Sequence, residues 1–192
     1  LNFKDKINIY YGKLNHGYGC DIGSSNWTER PKNQKATKNR LRNIYNHWKK
    51  KGITPKDFLY TTHKDFQKQI HPSHILGLKN KLNDNYRDTH KRKHMTDQEK
   101  MNVSYLSQTI RGTNDFSHKR FMAYMSNTFM RPQIRNFLSY HDIQIDEDSY
   151  ALNRMIQWLW RGCIRNDEEM YVFVPSKRMR QLLVDWLDGK PI

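Results

Sequence analysis

Three polar side chains recur at four-residue spacing in the second half of the chain. Gln157, Arg161 and Arg165 fall on one stripe of a helix predicted from Asp148 to Asn166, and apolar residues occupy its other side. The planar arginine fork binds phosphate oxygens and keeps its charge. Two such side chains on a rigid helix can stabilise charge on a phosphoryl group in transfer. The simpler alternative is a solvated polar edge of an amphipathic helix.

Two further groups of polar residues follow predicted strands. Thr62 and Lys64 end a strand predicted to begin at Asp57. A second group follows a strand predicted from Val103 to Ile110 and contains Arg111, Gly112, Thr113 and Asn114. Hydroxyls, amides and cations at these positions can bind the phosphates of a nucleic acid. The alternatives are an ordinary turn after Ile110 and helix capping at both positions.

The predicted elements that position these residues alternate between strands and helices. Strands are predicted at Ile7–Tyr11 and Met170–Val174 in addition to those above, and helices at Thr37–Lys51, at His118–Met130 and after Ser176. This order predicts a single α/β domain over residues 1–192, a mainly parallel sheet with helices on its faces. Residues 64–102 are predicted to form a polar, basic, partly helical insertion facing solvent. In such folds, ligands bind outside the carboxyl ends of the strands.

Positive charge is concentrated in the first half of the chain. The 192 residues carry a net charge of +15, and residues 1–100 contain 22 Lys and Arg against nine Asp and Glu, a net charge of +13. Such a field favours DNA or RNA as a partner. The densest run within the insertion is Lys91, Arg92 and Lys93, which we predict to contact phosphates.

Composition excludes several other classes of protein. An aromatic content of 12% excludes a fully disordered chain. There is no run of about 18 apolar residues, so we expect no membrane partner. Two cysteines, Cys20 and Cys163, exclude a disulfide framework and a cysteine-based zinc site, and a cytoplasmic location is expected.

Taken in order, these segments resemble the C-terminal motor (RecA-like) domain of phage-type superfamily 2 helicases of the DEAD/DEAH-box kind. Residues 109–120 look like motif V, residues 150–165 look like the motif VI helix, and residues 171–180 look like the closing strand and helix. The resemblance implies a three-layer fold in which Arg161 and Arg165 reach ATP bound by the N-terminal motor domain, with Gln157 at the same interface. It also implies that Arg111, Gly112, Thr113 and Asn114 couple nucleic-acid contact to nucleotide state.

The sequence departs from that family in what it lacks. It contains no Gly-x-x-x-x-Gly-Lys-Ser/Thr loop, and no Asp-Glu-x-His/Asp metal-binding run follows a strand. ATP and Mg²⁺ are therefore expected only in a complete protein with an N-terminal motor domain. The arginines of the motif VI region are also four residues apart, where the family has three, and Trp160 stands where a glycine is usual. Leu1 at the first position fits a segment of a longer chain.

Two other functions are consistent with the sequence. One is a non-catalytic accessory module that binds nucleic acid. The other is a degenerate GIY-YIG endonuclease, which residues 10–12 and 17–26, Glu29 and Arg30 faintly resemble, although no glutamate follows before Glu99. The histidine pairs His71/His74 and His90/His94 have metal-site spacing, but they lie in cationic or polar surroundings and are predicted to be exposed.

Overall fold

A four-stranded parallel sheet organises the chain. A computed structural model describes residues 3–17, 19–21, 23, 31–72, 75, 78–110 and 114–191. Its strands are β1 (Ile7–Ile9), β2 (Phe58–Thr61), β3 (Phe121–Tyr124) and β4 (Met170–Phe173), in the spatial order β1-β4-β3-β2. Every neighbouring pair is parallel. The predicted α/β class and parallel sheet are confirmed.

Eight α-helices surround this sheet within the described ranges. They are α1 (Pro31–Lys49), α2 (Gln67–Ile70), α3 (Asn80–Arg87), α4 (Thr89–Lys93), α5 (Asp97–Met101), α6 (Pro132–Tyr140), α7 (Glu147–Leu159) and α8 (Lys177–Leu187). None of these helices combines the length and the apolar character needed to cross a bilayer.

Helices pack on both faces of the sheet because successive strand residues point to opposite sides. Phe58 and Tyr60 of β2 pack with Leu41, Ile44 and Trp48 of α1 in one buried cluster. The intervening strand residues pack with α7 and α8 in a second buried cluster, and they include Leu59, Met122, Tyr124 and Val172. The result is a three-layer arrangement, as predicted.

The interior strand β3 lies within the segment predicted to be a helix. The prediction of a helix at His118–Met130 is wrong, because Phe121–Tyr124 pair with β2 on one side and β4 on the other. All four residues are buried. A strand buried on both faces has no polar–apolar alternation, so its apolar run resembles part of a helix.

Helix α7 ends earlier than predicted, at Leu159 instead of Asn166. A Cβ added at Gly162 would lie 2.8 Å from the carbonyl oxygen of Lys119, so the chain approaches the start of β3 closely here. The amide of Cys163 donates to the same oxygen at 3.0 Å, and a 3-10 turn follows at Cys163–Asn166. Arg161 and Arg165 therefore do not continue the helical stripe of Gln157, which corrects that prediction.

The described residues of the segment 64–102 include both buried and exposed side chains, so the segment is anchored to the core instead of facing solvent throughout. It forms most of the connection between β2 and β3, and Ile70, Tyr86 and Met95 are buried in the two apolar clusters. The strand predicted at Val103–Ile110 is reduced to one bridge, in which Tyr105 pairs with Tyr60 in parallel.

His71 contradicts the prediction that the histidines are exposed. It is 2% exposed, and its ring nitrogens lie 2.9 Å from the Tyr60 hydroxyl and 3.0 Å from the Leu78 carbonyl. His74 lies outside the described residues. Within the described residues, no three His, Cys, Asp or Glu side chains are grouped so as to hold a metal ion.

Candidate nucleic-acid interface

The carboxyl edge of the sheet carries a cleft of about 450 Å³, which we call the inner cleft. Because the strands are parallel, β2 and β3 end at the same edge. The inner cleft is lined by the loops that follow these two strands, by Ser107, Gln108 and Thr109, and by two side chains of α7. It lies at the position where ligands bind in parallel α/β folds.

Three cations line the inner cleft: Lys64, Arg131 and Arg154. Among the described side chains no carboxylate lines this cleft, and none of the three cations forms an ion pair. The Arg154 guanidinium lies 5.2 Å from the ring centre of Tyr150, one helical turn earlier. The positive charge of the inner cleft is therefore not neutralised by the side chains described.

Hydroxyl groups form the polar part of the same lining, and they belong to Thr62, Ser107, Thr109 and Thr128. Thr62 is 1% exposed, and its Oγ1 has no hydrogen-bond partner. Thr128 is also buried, but its hydroxyl lies 2.7 Å from that of Tyr124. A buried hydroxyl without a partner is unfavourable, so Thr62 offers an unused donor to a ligand.

The loop after β3 is fixed by Arg178 of α8. Its Nη1 donates to the Thr128 carbonyl oxygen at 2.8 Å, and its Nε donates to the Asp148 carboxylate at 2.8 Å. The guanidinium lies 4.5 Å from the ring centre of Phe129, whose side chain is 48% exposed and lines the inner cleft. One face of an exposed aromatic ring is thus backed by a cation, and the ring is held at the cleft.

A second cavity of about 580 Å³ adjoins the first, and we call it the outer groove. Lys64, Ser107 and Thr109 line both cavities. The remaining lining consists of Lys68, Asp84, Arg87, Asp88, Lys91 and Ile110. Its two carboxylates are paired, since Arg87 lies 3.9 Å from Asp84 and Lys91 lies 3.8 Å from Asp88. Its four cations therefore exceed its carboxylates by two.

Arg161 and Arg165 bind the two residues that flank positions 111–113, within the region predicted to be motif V. Arg161 Nη2 donates to the Ile110 carbonyl oxygen at 2.8 Å, and Arg165 Nη1 donates to Asn114 Oδ1 at 2.7 Å. Burial, together with the charge of Arg165, lowers the pKa of Arg161. Between these contacts, Arg111, Gly112 and Thr113 lie outside the described residues.

The predicted site residues therefore separate into different places. Thr62 and Lys64 line the inner cleft, and Lys91 lines the outer groove. Arg92 lies 5.4 Å from the ring centre of Tyr86 instead. Lys93 and Gln157 are exposed and line neither cavity.

Sequence reasoning missed several residues of the inner cleft: Arg131, Arg154, Phe129 and Tyr150. A signal for two of them was present, because Tyr150 and Arg154 extend the stripe of Gln157 by two turns toward the start of α7. No such signal pointed to Phe129 or Arg131. They follow β3, and with a helix predicted over residues 118–130 the sequence indicated no strand end at this position.

The residues of the endonuclease alternative are not assembled in the described part of the chain. Tyr10 packs edge-on against His47 and Phe173, at ring-centre distances of 5.1 and 5.6 Å, and Tyr11 is 65% exposed. Glu29 and Arg30 lie outside the described residues.

Comparisons with known proteins place this architecture in a family. The family model described as "YonV C-terminal Rossmann-like domain" matches residues 1–187. The chain is 36% identical over 189 residues to the SPbeta prophage-derived uncharacterized protein YonV of Bacillus subtilis (strain 168), covering 97% of this chain but 39% of that protein. The relative is prophage-derived, and the helicases that the sequence resembles are of phage type. The assignment to a helicase itself stays a prediction. No solved structure matched. The parallel three-layer sheet and the match over nearly the whole chain establish that the protein belongs to the YonV C-terminal Rossmann-like domain family.

Proposed function

We propose that this domain binds a nucleic-acid strand along the carboxyl edge of its sheet, with phosphates in the inner cleft and the outer groove. The observation that carries the proposal is the continuity of the two cavities through Lys64. Cations extend from Arg131 and Arg154 on one side of Lys64 to Lys68 and Lys91 on the other. Lysine and arginine supply most of the binding free energy toward phosphates, independently of base sequence.

Aromatic side chains in the inner cleft favour a single strand over a duplex. Phe66, Phe129 and Tyr150 line the cleft beside its cations. Bases of single strands stack on such rings, whereas the bases of a duplex are already stacked on each other. We therefore expect single-stranded DNA or RNA to bind more tightly than duplex of the same length.

The role of Arg161 and Arg165 at an ATP site remains a separate prediction. It requires an N-terminal motor domain that binds ATP and Mg²⁺ in a complete protein. The contacts of these arginines to Ile110 and Asn114 support a more local role, holding the segment beside the outer groove. The proposed binding function needs neither nucleotide nor metal, and it agrees equally with an accessory module.

The test is fluorescence anisotropy of a labelled 12-nucleotide DNA or RNA strand at several salt concentrations. We compare the wild type with a Lys64→Gln/Arg154→Gln variant. A matched control, Lys49→Gln/Lys50→Gln, removes the same charge from exposed lysines that precede β2, at the opposite edge of the sheet.

Loss of two phosphate contacts should weaken binding and reduce the slope of log K against log salt by about 1.4, given about 0.7 for each contact on a single strand. The control should keep the slope of the wild type. Equal slopes for all three proteins would exclude the inner cleft as the binding surface.

A further inference from the structure

We propose that the inner cleft binds the terminal phosphomonoester of the strand, and that the strand continues from there into the outer groove. The inference rests on the proposed function only for the second part, the path of the strand. Its first part, a site for a phosphate dianion, stands on the chemistry of the inner cleft itself.

The buried hydroxyl of Thr62 is the first observation behind the dianion site. Its Oγ1 has no partner although the side chain is 1% exposed, and the residue lines the cleft beside Lys64. A phosphate oxygen would accept this hydroxyl hydrogen, and hydrogen bonds to charged groups are among the stronger ones in proteins. A bound phosphate would then offset the cost of burying the hydroxyl.

The charge of the inner cleft is the second observation. Lys64, Arg131 and Arg154 line it without a carboxylate among the described side chains, whereas the outer groove contains Asp84 and Asp88. A phosphomonoester carries about two negative charges near neutral pH, and an internal phosphodiester carries one. The excess of described cations in the inner cleft favours the more highly charged group, and the mixed outer groove is better suited to single charges.

The connection between the two cavities provides a path for one strand. Lys64, Ser107 and Thr109 belong to both linings, so a strand whose end lies in the inner cleft can leave past these residues. The volume of about 450 Å³ is within the range of pockets that take a small organic ligand, such as one nucleotide. An exposed Phe129 ring at this cavity offers a surface for the terminal base.

The experiment compares three 12-nucleotide strands of one sequence, with a 5′-phosphate, with a 3′-phosphate or with hydroxyls at both ends. For the wild type we expect one phosphorylated strand to bind about tenfold more tightly than the unphosphorylated strand, the size of one charged hydrogen bond. In Thr62→Val, which preserves the branched shape but removes the hydroxyl, that preference should fall several-fold. The part of the preference that comes from the charge of Lys64, Arg131 and Arg154 should remain. Equal affinity of the wild type for all three strands would overturn the proposal.

Thr61→Val is the matched control. Thr61 is also buried, its Oγ1 also lacks a partner, and it lines neither the inner cleft nor the outer groove. The control should keep the full preference of the wild type. Equal loss of preference in both variants would show that the effect arises from a disturbance of β2 and not from the inner cleft. That result would refute the assignment to Thr62.

Titration with adenosine monophosphate and with inorganic phosphate separates this inference from the proposed function. Binding of the monophosphate with no binding of any strand would support the dianion site and refute the nucleic-acid function. Strand binding with a normal salt slope, but with no preference for a terminal phosphate, would refute the dianion site and leave the nucleic-acid function standing.

Discussion

Lys119 is a buried lysine whose protonation should be linked to folding. Its side chain is 0% exposed, and its Nζ donates to the carbonyl oxygen of Met101 at 2.8 Å. Burial lowers the pKa of Lys119 from 10.5 to about 7, although Asp57 opposes this effect. Because an ammonium group is costly to bury, the folded protein holds this lysine neutral above about pH 7.

The free energy of unfolding should rise with pH above pH 7, because the folded and unfolded states then bind different numbers of protons. Between pH 7 and pH 10.5 the unfolded chain keeps a proton on Lys119 that the folded protein has lost. Stability rises with pH wherever the unfolded state binds more protons, by about 1.4 kcal/mol per pH unit for one proton. From pH 7 to pH 9, this residue should therefore add roughly 2–3 kcal/mol to the free energy of unfolding.

Lys119→Met removes the titrating group and keeps a long side chain in the core. The Met101 carbonyl oxygen retains a possible partner in His118, whose Nε2 lies 3.3 Å away. We expect the variant to be more stable than the wild type at pH 7, with the difference shrinking by roughly 2–3 kcal/mol as the pH rises to 9.

Urea unfolding at pH 7, 8 and 9, followed by tryptophan fluorescence, measures this difference. Titrating groups away from Lys119 are common to both proteins and cancel, including Cys163, whose thiol pKa burial raises to about 12. His118 is an exception, since burial and the charge of Lys119 both lower its pKa. Lys93→Met, at an exposed position, is the control and should follow the wild type at every pH. A constant difference between Lys119→Met and wild type across this range would show that Lys119 is charged in the folded protein.

Three other changes test how the loops and helices are held. Gly162→Ala should destabilise the protein by about 1–3 kcal/mol in urea unfolding, because the added Cβ would lie 2.8 Å from the Lys119 carbonyl oxygen. An unchanged urea midpoint of unfolding would contradict this close approach. Ser176→Ala should cost about 1 kcal/mol in the same assay, since the buried Ser176 hydroxyl caps the first turn of α8, and Ser176→Asn should recover part of the loss. Arg161→Ala should speed amide hydrogen exchange in peptides that contain Ile110, because the Arg161 side chain binds the Ile110 carbonyl oxygen at 2.8 Å. If exchange is unaltered and ATP turnover is lost in a full-length protein, the predicted role at a nucleotide site is favoured instead.

Local sequence patterns determined the fold class and two helices. The apolar face of α1, with Leu41, Ile44 and Trp48, is buried as its spacing predicts. Helix α8 begins after Ser176, and Gly189 follows it with a φ of 70°. These features depend on side-chain periodicity and capping, which are properties of neighbouring residues.

Tertiary structure alone decided β3, the end of α7 and the inner cleft. Phe121–Tyr124 is a strand because β2 and β4 supply hydrogen bonds on both sides, and α7 ends where Gly162 meets the chain before β3. The inner cleft brings together Thr62, Thr128 and Arg154, which are far apart in sequence. Parallel pairing of β2 with β3 and the packing of α7 on the sheet place them side by side. Long-range pairing and close packing leave little trace in any single segment, so the sequence pointed to the carboxyl ends of the strands but did not predict most residues that line the inner cleft.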